Sequence, residues 1–157
     1  MSIEKVRAFF AREGREQDIL EFPVSSATVE LAAAALGCEG ARIAKTLSFL
    51  VDGSCVLLVC AGDAKVDNAK FRHQFHTKAK MLTPEQVVEF TGHAIGGVCP
   101  FAIGDPAVNT YLDISLRRFE TVFPAAGSSN SAIELTMEEL EQYSDSAGWI
   151  DVCKNWA

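Results

Sequence analysis

The feature that most constrains this chain is the pair Asp52-Gly53, set between two apolar, β-rich runs, residues 45–51 (KTLSFLV) and 54–61 (SCVLLVCA). A two-residue turn needs positive φ at both central positions, which Asp-Gly tolerates, and it locks the flanking runs into one antiparallel register. The second run is the longest strongly apolar stretch of the chain. It is still far shorter than the ~20 residues that cross a bilayer. The N-terminal stretch MSIEKVRAFFAREGRE mixes acid and base and has no apolar signal core, so the expectation is neither a membrane span nor secretion.

Elements on either side follow from local signals. Val6, Phe9 and Phe10 recur at helical spacing and predict a first helix to about Glu13, closed by Gly14; residues 19–24 form a short extended run. A second helix is expected with Ser25 or Ser26 as its N-cap and Gly37 as its stop. Asp67 is placed to cap a helix carrying Ala69, Phe71 and Phe75. Thr83-Pro84-Glu85-Gln86 and Thr136-Met137-Glu138-Glu139 are capping boxes that open two more, the first stopping near Gly92. Leu112, Ile114 and Leu116 alternate with polar residues and predict a half-buried strand; residues 121–123, 132–135 and 150–153 read as further strands. No repeat or linker divides the 157 residues. The expected fold is α+β: one domain over residues 1–157 with a mixed, mostly antiparallel, barrel-like sheet flanked by helices.

Five cysteines, Cys38, Cys55, Cys60, Cys99 and Cys153, form no CxxC and no even loop-placed set. They read as reduced thiols, which points to a reducing compartment, most simply the cytoplasm. The formal charge of −7 argues against a nonspecific nucleic-acid coat, and no DNA partner is expected. Residues 41–80 nevertheless hold seven lysines and arginines against three aspartates, +4, leaving −11 for the remainder. One face of an acidic molecule is thereby suited to a polyanion.

The common nucleotide-binding, nucleophile-elbow and zinc-protease motifs are absent. His73 and His76 form an HxxH with no third ligand nearby, and no metal or cofactor is expected. His93 and Cys99 lie six apart, a spacing open to a thiol nucleophile with its base, or to a small residue fitting a turn. Lys45 opens an otherwise apolar strand, where an ammonium can meet a carbonyl, phosphate or ribose, or simply snorkel to water. Gly96 and Gly97, stiffened by Pro100, make a loop whose bare main chain can approach a ligand and present N–H groups to a reacting carbonyl.

The segments AKTLSFLVDG, VLLVCAGDAKVD, KAKMLTPEQVVEFTGHAIGGVCPF, YLDISL and AAGSSNSAIELTMEEL, in this order, resemble the YbaK / prolyl-tRNA-synthetase-associated editing domain family over about residues 25–140. The resemblance implies a trans-acting aminoacyl-tRNA deacylase that hydrolyses the ester of a mischarged tRNA without a metal. The alternative is a non-catalytic tRNA- or synthetase-binding module of the same fold. It implies Lys45, Gly96, Gly97 and Pro100 as the catalytic set, with Thr46, Val98, Cys99 and Phe101 around the substrate. Lys65, Lys70, Arg72, Lys78 and Lys80 would hold tRNA phosphates. The implied partner is the aminoacyl-tRNA acceptor end, with an aminoacyl-tRNA synthetase as a further candidate. Cysteinyl-specific members carry serine and aspartate where this chain has Ala125 and Ala132. Alanyl-specific members follow the lysine with asparagine and add a late histidine; here Thr46 follows, and no histidine comes after His93.

Overall fold

The computed structural model describes residues 2–156. In chain order the elements are α1 (Ser2–Arg12), β1 (Leu20–Glu21), α2 (Val29–Leu36), β2 (Ile43–Val51), β3 (Ser54–Ala61), β4 (Lys65–Val66), α3 (Asn68–Phe75) and α4 (Pro84–Thr91). There follow β5 (Val108–Asp113), β6 (Thr121–Pro124), β7 (Ser131–Ala132), β8 (Leu135–Thr136), α5 (Met137–Tyr143), β9 (Gly148–Ile150) and β10 (Cys153–Lys154). Six strands form one sheet in the order β8-β6-β2-β3-β5-β9, and β1/β7 and β4/β10 add two small antiparallel ladders.

The β2/β3 hairpin is the longest ladder, eight registered pairs from Ala44↔Ala61 to Val51↔Ser54. Asp52 and Gly53 both take positive φ, +50° and +78°. β3 is central: it pairs in parallel with β5 on its other edge, and residues 55–61 are all buried. The sheet is mixed, with parallel neighbours at β2/β6, β3/β5 and β5/β9 beside the antiparallel hairpin and β6/β8. One core holds Phe10, Phe71, Phe101, Leu58, Leu112 and Leu140. A second packs Cys55, Leu57, Leu82 and Val87 beneath α4. Each fully buried leucine or phenylalanine contributes roughly 2 kcal/mol by removing its apolar surface from water.

The caps stand as read. Asp67 accepts from Ala69 and Lys70 N–H, both capping boxes close in both directions, and Gly92 ends α4 at φ +75°. Four expectations are corrected. The N-cap of α2 is Thr28, whose hydroxyl accepts from Leu31 N–H; Ser25 and Ser26 turn instead to the Ser129 carbonyl. The extended run at 19–24 is a strand only at Leu20–Glu21. The strand expected through Leu116 stops at Asp113, because that buried carboxylate accepts from Ser115 and Val152 N–H and turns residues 114–118 into a 3-10 helix. The 132–135 and 150–153 runs each split into short strands serving different ladders, β7 and β8, then β9 and β10.

Candidate functional site

The site begins with a gap in a strand edge. Val51 and Ser54 flank the two-residue turn, so odd-numbered residues of β2 direct their peptide groups to β3 and even-numbered ones to the opposite edge. On that edge β6 pairs only with Ile43 and Ala44. Further along, Leu50 N–H donates to the Lys80 carbonyl and Leu82 N–H to that of Ser48, at 2.8 and 3.2 Å. Between these two pairings no strand among the described residues runs opposite Thr46, so the register turns its N–H and C=O toward a space that β6 and residues 80–82 leave open. A cavity of about 340 Å³ occupies it, and residues 43–48 all line it.

Its walls come from separate parts of the chain. Ala32 and Val29 on α2, Phe123 on β6 and Leu82 and Val87 close it with apolar surface. Ala125 and Ala132, which meet in a single bridge, add methyl groups. Ile95, Gly96 and Val98 form the facing loop, while Met81 and Ile95 expose more than half their surface at its rim. No carboxylate, imidazole or thiol is among the lining residues; apart from hydrocarbon they bring hydroxyls, main chain, the Met81 thioether and one charged residue, Lys45.

Lys45 and Gly96 therefore face one cavity. The Lys45 Nζ donates to the Ala64 and Gly62 carbonyls, which fixes the ammonium on the turn after β3 and leaves one of its three donors. That turn is rigid: a Cβ at Gly62 would lie 2.1 Å from the Gly40 carbonyl oxygen, and Asp63 is held in a two-bonded ion pair by Arg118. The Arg118 hydrogen bond keeps the Asp63 carboxyl below the ordinary aspartate range, against its partial burial and with Lys45 adding to the effect. Thr46 Oγ1 is buried without a hydrogen-bond partner, beside the one place where β2 lacks a neighbour.

The glycine loop divides its roles. Gly96, at φ +95°, lines the cavity. Gly97 does not: its N–H donates to the Ala94 carbonyl, and a Cβ there would stand 2.9 Å from Ser128 Cα. Gly97 is thus the point where this loop docks against residues 127–131. Those residues are braced in turn by Ser128 Oγ to Ser131 Oγ and by Asn130, which bonds the Phe22 main chain in both directions. The expectation that both glycines offer free N–H groups is corrected to Gly96 alone.

Pro100, Cys99 and Phe101 also lie away from the cavity. Pro100 lines a second, more open hollow of about 570 Å³ with Lys5, Phe9 and Tyr143. Phe101 is fully buried and packs on Phe10 with ring centroids 5.0 Å apart. Cys99 does meet His93, Sγ to Nε2 at 3.5 Å, but both are fully buried. Burial pushes the Cys99 thiol up to about 12, against the Phe101 and Gly127 main-chain bonds, and pushes His93 down. A protonated thiol with no open face is no nucleophile, so the Cys99 reading is set aside on geometry.

Lys65, Lys70, Arg72, Lys78 and Lys80 are all exposed, on the excursion from β4 through α3 to residue 80. Lys80 precedes Met81, so that end of the basic excursion borders the cavity, while at the other end Lys65 follows Ala64, whose carbonyl accepts from Lys45. Lys70 is engaged by Asp151 and the Cys153 carbonyl. His73 and His76 are exposed, and among the described residues no group of three or more His, Cys, Asp or Glu is placed to hold a metal. Nor, among them, is any helix long and apolar enough to cross a membrane. Four cysteines are buried and Cys38 partly so, all as free thiols.

The sequence profile of the aminoacyl-tRNA editing domain matches residues 24–143. The chain is 58% identical over 158 residues to the uncharacterized protein YwhH of Bacillus subtilis (strain 168), covering 99% of each. It is 33% identical over 81 residues to the proline–tRNA ligase of Solidesulfovibrio magneticus, half of this chain and 14% of that enzyme. A crystal structure of a candidate trans-editing enzyme for prolyl tRNA synthetase superposes with a TM-score of 0.86 at 29% identity, over 98% of this chain and 97% of that one.

Proposed function

The chain belongs to the aminoacyl-tRNA editing domain family, and from that premise we propose that it acts in trans to hydrolyse the ester bond of a mischarged tRNA. The observation that carries this reading is the cavity that Lys45 and Gly96 both line, beside the unpaired edge of β2 at Thr46. The terminal adenosine and its aminoacyl group occupy this cavity. Lys45 supplies a fixed positive charge and one N–H to the nucleotide or ester, and the main chain at Gly96 and Thr46 seats the carbonyl. Water adds to that carbonyl, the bond to the ribose oxygen breaks, and free amino acid and the tRNA hydroxyl leave.

An activated ester needs little more than orientation and a donor to the developing oxyanion, each such donor being worth roughly 3 kcal/mol. A second site of this kind answers a general weakness of synthetases, whose binding pockets discriminate one methylene by only about 1–3 kcal/mol. The proline–tRNA ligase relatives support a tRNA charged by the prolyl enzyme as substrate, and that synthetase as a partner. A binding module without turnover draws support from Ala125 and Ala132, which give the wall methyl groups alone. Incubating the protein with tRNA for proline charged with alanine, cysteine, serine or threonine separates the two. The deacylase reading expects release of at least one amino acid well above the spontaneous rate; tight binding with none released overturns it.

A further inference from the structure

The β4/β10 ladder registers Lys65 directly opposite Lys154. The companion pair, Val66 and Cys153, points inward, so alternation sends both lysines to the solvent face, where both are exposed. Directly opposed residues have Cβ atoms about 5 Å apart, and like charges at that separation destabilise a ladder. This one is only two residues long, and it is held from inside by buried Cys153 and from its ends by Asp67 N–H on the Val152 carbonyl and Lys70 on the Cys153 carbonyl, so the repulsion is tolerated on its solvent face.

The surrounding acids do not relieve the pair. Asp63 is bound by Arg118, and Asp151 by Lys70. Asp67 feels Lys154, but its carboxylate first accepts the Lys70 and Ala69 N–H groups that open α3. Among the described residues neither Lys65 nor Lys154 has an ion-pair partner of its own. Position gives the pair meaning: Lys65 follows Ala64, whose carbonyl holds the ammonium of Lys45, a residue that lines the cavity. Successive Cα atoms are 3.8 Å apart, so Lys65 stands one residue from the carbonyl that holds the Lys45 ammonium, with Lys154 opposite it in the ladder.

We propose that Lys65 and Lys154 form a two-lysine clamp for a backbone phosphate of the single-stranded RNA leading into the Lys45 cavity. The inference rests on the deacylase reading and adds to it a specific exit path for the strand. A phosphate between the two ammonium groups replaces their repulsion with attraction, so the ladder is stabilised when RNA is bound. It also adds a localised contact by which a chain of net charge −7 can engage a polyanion.

The test compares wild type with the double variant Lys65→Gln/Lys154→Gln, and with Lys5→Gln on α1 as a charge-loss control. Two substrates bear the same amino acid, one on intact tRNA and one on adenosine without phosphates. The clamp predicts a KM for the tRNA substrate raised about tenfold in the double variant, and a salt-dependence slope reduced by about 0.7, the worth of one single-strand phosphate contact. The KM for the aminoacyl-adenosine and all values for Lys5→Gln should stay at wild-type levels. Equal losses on both substrates would assign the lysines a purely structural role. An unchanged tRNA KM and slope, with the variant instead prone to aggregate, would make them guards of a sheet edge; either result overturns the clamp. If wild type releases no amino acid, the deacylase reading fails by itself. The clamp is then judged by the affinity and salt slope of uncharged tRNA, which the double substitution must still weaken.

Discussion

At the scale of single residues, the candidate site gathers groups whose hydrogen-bonding capacity the fold leaves partly unused. The Thr46 hydroxyl is buried without a partner, at a cost of about 1–3 kcal/mol relative to a satisfied group. Thr46→Val keeps the shape and removes the orphan. We expect unfolding stability unchanged or raised by about 1 kcal/mol, together with a fall in kcat/KM for deacylation. A stability loss above about 1 kcal/mol in chemical denaturation would mean that the hydroxyl is well bonded in the native protein. Lys45 was legible from sequence because a lysine opening an apolar strand is chemically out of place. Lys154 was not, since nothing near it in the chain reveals that it ends up opposite Lys65. Cys99 misled for a related reason: a turn suggests exposure, but this turn is covered by the core around Phe10 and Phe101.

At the scale of elements, what could be read was what is local. The Asp52-Gly53 hairpin, the Asp67 cap and both capping boxes depend on residues within four positions of one another, and all formed as expected. The strands that misled, at 112–116, 132–135 and 150–153, are ended by partners far away, as when Asp113 binds the Val152 N–H. The cavity belongs to this second class, because it exists only where β6 stops and residues 80–82 begin along one edge of β2. The docking of the glycine loop on residues 127–131 is equally non-local and yields a sharp contrast. Gly97→Ala drives a methyl into the Ser128 main chain and should cost about 1–3 kcal/mol. Gly104→Ala, with open space around it, should cost less than about 0.5 kcal/mol. Equal melting temperatures for the two variants would contradict the close approach.

At the scale of the whole molecule, the buried and paired titratable groups set a direction for stability against pH. Burial lowers the His93 pKa, with Lys5 adding and the Phe101 carbonyl opposing. A histidine held neutral in the fold takes up its proton more readily when unfolded, so its contribution is present above the unfolded value of about 6.5 and is lost as pH falls below it. Asp63 and Glu139 are also lowered. In Glu139 burial opposes, but the Thr136 main chain and Arg15 outweigh it. Their stabilisation is lost at more acid pH, as each carboxylate protonates through its depressed folded value. Denaturation midpoints should therefore hold near neutral pH, decline below about 6.5 and decline further below about 4. His93→Gln should flatten the first decline, and an unaltered profile in that variant would place its origin elsewhere. The central claim is that the fixed ammonium of Lys45, which lines one cavity with Gly96, drives ester cleavage. The most direct measurement is single-turnover deacylation of a mischarged tRNA by wild type and Lys45→Ala, with thermal unfolding of both alongside. The account predicts that the variant releases amino acid at the spontaneous rate while melting within a few degrees of wild type; a folded Lys45→Ala protein that still deacylates at the wild-type rate would contradict it.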